Sequence, residues 1–289
     1  MKLLRIGQRG NERPAILDAD GVTRDVSDHI EDFTPTFFGS GGLELLRDVM
    51  VRGDVPAVTA AERVGPPITR PPKIICVGLN YAEHAREAGV ALPKEPVLFA
   101  KAANTVVGPH DDVRLPRGGV KTDWEVELGV VIGQEARYLP DESAAREAIA
   151  GYVLSHDVSE RSFQLERGGQ WIKGKSAETF NPLGPYLVTP EEVPEPQSLD
   201  LWSRVNGEIC QSSTSADMIF SVDQLVWYVS QFMVLEPGDL LNTGTPQGVG
   251  MGMDPPRYLQ AGDIVELGIS GLGTQRQRVV GPDDLQNAS

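Results

Sequence analysis

At 289 residues the chain is long enough to bury a substantial core, as one large domain or as a large domain with a small companion. Its formal net charge of -15 repels phosphate backbones and anionic lipid surfaces, which argues against nucleic acid or membranes as partners and leaves cations and small polar molecules. The opening reaches Arg5 after two leucines, too short an apolar run for a signal peptide, and no later run approaches membrane-spanning length, so a cytoplasmic location is expected. Cys76 and Cys210 lack C-x-x-C spacing, so neither a zinc knuckle nor a disulfide framework is indicated, and both are expected to be buried apolar side chains.

Residues 3–6, 15–17 and 22–26 read as short strands, with Asp20-Gly21 as a hairpin turn. Leu43, Leu46, Val49 and Met50 recur at helical spacing. The proline-rich passage holding Pro66, Pro67, Pro71 and Pro72 then marks a boundary between a small amino-terminal α+β domain over residues 1–68 and a larger one over 69–289. Residues 80–88 can form one short helix placing His84 and Glu87 at i,i+3. A carboxylate beside an imidazole makes a base that works near neutral pH; the alternative is an incidental surface ion pair.

Residues 121–132, KTDWEVELGVVI, alternate as a strand. Period two turns Asp123, Glu125 and Glu127 to one face, with two or three carboxylates about 7 Å apart or nearer. A solvated strand face is the alternative, but the apolar run 130–132 places the strand inside the domain, where unpaired carboxylates are costly. A hard divalent cation resolves the conflict. Oxygen donors without Cys or an H-x-x-x-H pattern favour Mg²⁺, Mn²⁺ or Ca²⁺ over zinc. A further strand, 152–156, runs into Asp157, which is a third ligand or a turn residue. Lys175 lies in a glycine-containing stretch that could equally be a solvated loop. Arg161 and Lys101 are further basic candidates for substrate contact, or members of structural ion pairs. His29, His110 and His156 have no evident partner and read as surface or structural residues.

Beyond these segments the chain is rich in short strands. Asn206-Gly207 predicts a hairpin between residues 201–205 and 208–211. Ser221 with Gln224 begins a helix that carries Leu225, Val226, Val229, Phe232 and Met233 inward until Pro237-Gly238 stops it. Pro237-Gly238-Asp239 and Ala261-Gly262-Asp263 read as two similar turns ahead of strands. The fold class expected is β-rich α+β.

Five segments in order, residues 77–84 (VGLNYAEH), 123–129 (DWEVELG), 156–164 (HDVSERSFQ), 175–180 (KSAETF) and 242–250 (NTGTPQGVG), resemble successive motifs of the fumarylacetoacetate hydrolase superfamily. The match covers roughly residues 70–280, and residues 1–65 resemble the small amino-terminal domain of many bacterial members. The resemblance implies a mixed β-sandwich roll, a homodimer, and Glu125, Glu127 and Asp157 as ligands of Mg²⁺. It implies that His84 and Glu87 form a catalytic dyad on a segment that closes over ligand, for which Gly78 and Gly89 could be hinges. It further implies that Lys175 stabilises an enolate beside the metal, and that Gln164 and Thr245 orient substrate or water.

Two departures stand out. Glu178 replaces a common Asp, and Gly78-Leu79-Asn80-Tyr81 stands where fumarylacetoacetate hydrolase proper has an acidic, tyrosine-containing segment, which argues against fumarylacetoacetate as substrate. The 167–171 insertion and the 248–253 run look most like bacterial members acting on 2,4-diketo-3-deoxy sugar acids of the rhamnonate or fuconate type. The implied reaction is metal-dependent hydrolysis of a carbon–carbon bond in a 2,4-diketo acid, giving pyruvate and a shorter acid. Oxaloacetate-type decarboxylation, ureidoglycolate lysis and isomerisation of a hydroxy-diene dioate share the same enolate logic. A non-catalytic metal- or carboxylate-binding protein is the alternative from another class, against which the intact His84 and Glu87 pair speaks.

Overall fold

The computed structural model describes residues 1–53 and 55–284. Its organising element is the strand Val126–Ile132, all seven residues of which are buried. Alternation there serves two cores instead of a core and solvent. Val126, Leu128, Val130 and Ile132 enter one apolar cluster and Val131 enters another on the opposite face. Gly129 keeps the second face flat, because a Cβ there would lie 2.8 Å from Val153 Cγ1.

The strand Ile149–His156 runs antiparallel to one edge of this element and Leu240–Asn242 antiparallel to the other. Ile74–Gly78 then adds in parallel to Leu240–Asn242, and Val97–Lys101 closes that side. On the other side Asn181–Val188 is followed by Lys2–Ile6, Arg13–Leu17 and Thr23–Asp25, so the amino-terminal strands extend the large sheet through the Lys2 to Val188 register. A five-stranded sheet contributes Leu201, Val205, Val265, Leu267 and Ile269 to the first cluster. The two sheets therefore share one core, the β-rich α+β architecture expected from the sequence. No helix among the described residues is long and apolar enough to cross a membrane.

Local signals fared well where the chain answers only to its neighbours. Asn206 and Gly207 both take left-handed φ, 53° and 82°, as a two-residue hairpin requires, and Val205 pairs with Glu208. Helix Gly42–Arg52 buries Leu46 and Val49 and ends on Gly53 at φ 82°. Helix Val222–Ser230 begins where Ser221 Oγ accepts a hydrogen bond from the Gln224 amide at 3.2 Å.

That helix ends seven residues before Pro237, counting from Ser230, earlier than its apolar spacing predicts. The Ser230 carbonyl accepts from the Tyr138 amide, and the chain then leaves to bridge Leu235 with Ala136. Leu225, Val226 and Val229 are buried as expected, but Phe232 is 63% exposed. Cys76 is buried, whereas Cys210 is only half-buried, a correction to the expectation for the pair; both are free thiols.

Candidate metal and substrate site

The site gathers where Val126 starts its strand and where His156, Asn242 and Gly78 end theirs, an end of the sheet fixed by the antiparallel and parallel pairings just described. The acidic segment is not one continuous strand. Thr122–Asp123 pairs with Ser159–Glu160, and Val126–Ile132 begins only after Trp124 and Glu125. The break removes Asp123 from the acidic face. Its carboxylate accepts from the Gly250, Met251 and Trp124 amides at 2.7, 3.0 and 2.9 Å and from Arg161 Nε at 2.9 Å. Asp123 is thus a structural anchor, with its acceptor capacity already used.

Glu125 and Glu127 remain, and Asp157 joins them: one oxygen from each of the three lies within 4.8 Å of the others, and all three residues are buried. The Asp157 amide donates to the Glu125 carbonyl at 3.0 Å, which fixes their separation. Lys175 Nζ lies 2.7 Å from Glu125 Oε2 and 2.8 Å from Asp157 Oδ2. Lys101 Nζ pairs with Asp157 Oδ1 and donates to the Val158 carbonyl at 3.2 Å. Arg161 Nη1 lies 2.7 Å from Glu125 Oε1. Among the described residues Glu127 has no ion-pair partner and accepts only from the Gly244 amide, at 2.9 Å.

Four buried carboxylates, Asp123, Glu125, Glu127 and Asp157, therefore face three buried cations, Lys101, Arg161 and Lys175. Burial raises the Glu125 carboxyl, but Lys175 and Arg161 outweigh it and hold that group below the usual carboxylate range. Burial also raises Glu127, and the neighbouring Asp157 and Glu125 push it further, well above the usual range. Burial lowers the Lys175 ammonium, but Asp157 and Glu125 more than compensate, so it stays charged at neutral pH. The surplus negative charge centres on a hard-oxygen donor set, and a divalent cation fits it: Glu125, Glu127 and Asp157 would hold such an ion, whose charge would offset the mutual repulsion of their carboxylates.

The helix carrying His84, Ala82–Glu87, follows Gly78 after three residues, Leu79 to Tyr81. Asn80 pins its approach. The buried Asn80 side chain accepts from the Phe220 amide at 2.8 Å and donates to the Phe220 and Thr243 carbonyls at 3.1 and 2.9 Å. Asn80→Ala would strand those three backbone groups, and we expect denaturant unfolding to report a loss of about 3 kcal/mol. His84 Nδ1 lies 3.2 Å from Glu87 Oε2, while Glu87 Oε1 accepts from the Gly248 amide at 2.9 Å. Gly252 makes room for this arrangement, since a Cβ there would sit 2.2 Å from Glu87 Cδ. The spacing expected from sequence is therefore realised as a contact, and the carboxylate is held from its far side.

A cavity of about 190 Å³ joins these groups; His84, Glu125, Glu127, Arg161, Gln164, Lys175 and Thr245 all line it. Lys175, which could have been a loop residue, ends the one-turn helix Ile172–Lys175 and is buried. Gln164 Oε1 accepts from Arg161 Nη1 at 3.1 Å, and Arg161 Nη2 is buried without a partner among the described residues. Thr245 Oγ donates to the Val126 carbonyl at 2.9 Å and accepts from Gln211 Nε2 at 2.8 Å, so it ties the start of the acidic strand to the cavity wall. Lys101 lies behind Asp157 and does not line the cavity; it supports a carboxylate instead of reaching into the open space. His156 is buried against Gln277, and burial lowers it to about 3, so it is a neutral structural residue. His29 and His110 are exposed.

Fold and site together define a β-rich protein with a buried oxygen-donor cluster and a histidine–carboxylate pair on one cavity. The chain belongs to the fumarylacetoacetate hydrolase family: residues 73–280 match the family described as Fumarylacetoacetate (FAA) hydrolase C-terminal. A Burkholderia multivorans protein, whose name gives hydrolase as an unconfirmed class and no substrate, is 52% identical over 278 residues, 96% of this chain and 98% of that relative. The fumarylacetoacetate hydrolase from psychrophilic Exiguobacterium antarcticum superposes with a TM-score of 0.83 at 35% identity, covering 97% of this chain and 99% of its own. The 2-hydroxyhepta-2,4-diene-1,7-dioate isomerase from Mycobacterium marinum gives 0.75 at 31% identity, covering 98% and 100%.

Several residues that shape the site carry no signal readable from the chain alone. Gln211 donates to Thr245 and to the Pro246 carbonyl and accepts from the Val126 amide, yet it lies on a distant hairpin strand. Asn80 and Leu79 sit within a recognised motif, but nothing in their spacing gives them a role. Phe99 and Trp171 enter the cavity wall from separate elements, and only the presence of an insertion at 167–171 pointed towards Trp171.

Proposed function

We propose that this chain hydrolyses a carbon–carbon bond of a 2,4-diketo acid, with Mg²⁺ as the physiological cation. The supporting observation is the meeting of the Glu125, Glu127 and Asp157 cluster with Lys175, where Glu125, Glu127 and Lys175 line a cavity that His84 also lines. Glu125, Glu127 and Asp157 would hold the cation, which supplies Lewis-acid charge to the 1-carboxylate and 2-oxo group when bound. His84, oriented through Nδ1 by Glu87, takes a proton from the water that adds to the 4-carbonyl. The bond between carbons 3 and 4 then breaks, carbon 4 leaves as the shorter acid, and the electron pair remains on carbon 3 as the pyruvate enolate. Lys175 and the unpaired Nη2 of Arg161 offer positive charge to that enolate. The proton held by His84 returns to carbon 3, so that diketo acid and water give pyruvate and an acid.

The test is pyruvate release from acylpyruvates, 2,4-diketo-3-deoxy sugar acids and oxaloacetate, with Mg²⁺ or with EDTA. Cleavage of diketo acids that stops in EDTA supports the reading; turnover of oxaloacetate alone would make the protein a decarboxylase. Resemblance to the Mycobacterium marinum isomerase favours a second reading, in which His84 shifts a proton within a hydroxy-diene acid and no pyruvate appears.

Two further outcomes are expected. At 100 times its dissociation constant Mg²⁺ contributes about 2.7 kcal/mol, which raises Tm by roughly 5 °C, and Glu127→Gln removes that rise in a thermal melt. Glu87→Gln keeps a hydrogen-bond partner for His84 but not its charge, and steady-state assays should show kcat lowered about 10-fold to 100-fold.

A further inference from the structure

The metal-side end of the cavity is polar, but most of its remaining wall is not. Leu79, Val90, Phe99, Leu165, Trp171 and Met251 line it, drawn from five separate stretches of chain. Contacts order some of them away from the acidic cluster. Lys175 Nζ lies 5.0 Å from the Phe99 ring centroid, the Phe99 ring meets Trp171 edge-on at 5.3 Å, and Trp171 covers Gly78, where a Cβ would fall 2.5 Å from the indole. Beside Gly78, Leu79 takes φ 58°, a left-handed conformation that leucine adopts only where surrounding contacts hold it. Asn80 supplies those contacts through Phe220 and Thr243, and the result is an apolar side chain in the cavity. Val90 and Leu165 are 44% and 47% exposed, so the apolar character continues to the surface.

Among the described residues, no charged group lines that part of the wall. Among the described residues the only lysine and arginine lining the cavity, Lys175 and Arg161, both bind Glu125. Three cations on nearby segments are engaged elsewhere: Arg86 pairs with Glu83, Lys173 donates to the Arg167 carbonyl, and Arg167 stacks on Phe163 with its guanidinium 4.4 Å from the ring centroid. A hydroxyl-rich or carboxylate-ended tail placed there would lose water without gaining partners.

Resting on the diketo-acid reading, we infer that the group beyond carbon 4 is an apolar alkyl or aryl substituent, received by the Leu79, Phe99, Leu165 and Trp171 wall. This departs from the polyhydroxylated sugar acid suggested by the sequence, and from a dioate, whose second carboxylate would face this wall. Binding to that wall is worth about fourfold in affinity for each methylene it removes from water.

Calorimetric titration of the Mg²⁺-loaded protein with unreactive 2-oxo acids tests the inference independently of catalysis. We expect 2-oxooctanoate to bind at least tenfold more tightly than pyruvate, than the eight-carbon 2-oxo dioate, or than a 2-oxo-3-deoxy sugar acid. Leu165→Asn, at a half-exposed position, should cut the ratio of 2-oxooctanoate to pyruvate affinity at least threefold. Equal or tighter binding of the dioate or the sugar acid overturns the inference. Turnover separates it from the reading on which it rests. If the apolar acid binds preferentially but no diketo acid is cleaved, hydrolysis fails and the apolar subsite stands; if diketo acids are cleaved with a preference for hydroxylated or carboxylate-ended tails, the apolar subsite fails and hydrolysis stands.

Discussion

His84→Ala lowers kcat by about 10²-fold to 10⁴-fold while Mn²⁺ affinity stays within a few fold of the parent protein. The separation follows from position. His84 reaches the cavity from the Ala82–Glu87 helix and contacts Glu87, whereas the three clustered carboxylates are held by Lys101, Lys175, Arg161 and the Gly244 amide. Removing the imidazole therefore takes away a proton acceptor without disturbing an oxygen donor. Pre-steady-state pyruvate release and metal titration on the same preparation check both halves. A loss below tenfold would place the proton transfer on another group; a parallel loss of metal would mean that the helix supports the cluster.

Lys175→Met should divide stability, metal affinity and turnover in opposite directions. Its ammonium is bound by both Glu125 and Asp157, so the variant leaves four buried carboxylates against two buried cations. Breaking a buried pair by removing one partner costs about 3–5 kcal/mol, and the metal-free variant should melt well below the parent protein. A divalent cation relieves the same repulsion, so Mg²⁺ should raise the Tm of the variant by more than it raises that of the parent. Turnover should nonetheless fall about 10²-fold to 10³-fold, because the charge available to the developing enolate is gone. If Mg²⁺ no longer protects the variant, Lys175 builds the cluster instead of acting beside it.

Sequence alone carried the features in which neighbouring residues decide their own geometry. The Asn206-Gly207 hairpin, the Ser221 cap and the His84 to Glu87 contact each depend on a handful of consecutive positions, and each is found in the structure. Motif order carried the family, and with it the carboxylates Glu125, Glu127 and Asp157, which the fold gathers within 4.8 Å. Alternation misjudged Asp123, because period two holds only while a strand continues. Here Arg161 and the amides of Gly250 and Met251, all remote in sequence, capture the carboxylate and end the run. For the same reason the end of the Val222–Ser230 helix was not legible: the Ser230 carbonyl answers to Tyr138, whose approach no helical period encodes.

What a residue is thus determined the chemistry available to the site, since carboxylates, ammonium and imidazole keep their character wherever they stand. What surrounds it was left to tertiary structure. Whether Lys101 reached substrate or supported Asp157, whether Lys175 was solvated or buried, and whether the cavity ended in polar or apolar wall were decided by long-range packing. The physical reason is that burial and pairing, which set the energy of a charge, are properties of the space around it, and that space is filled by segments remote in sequence, as where the Gly248 amide closes on Glu87, 161 positions away.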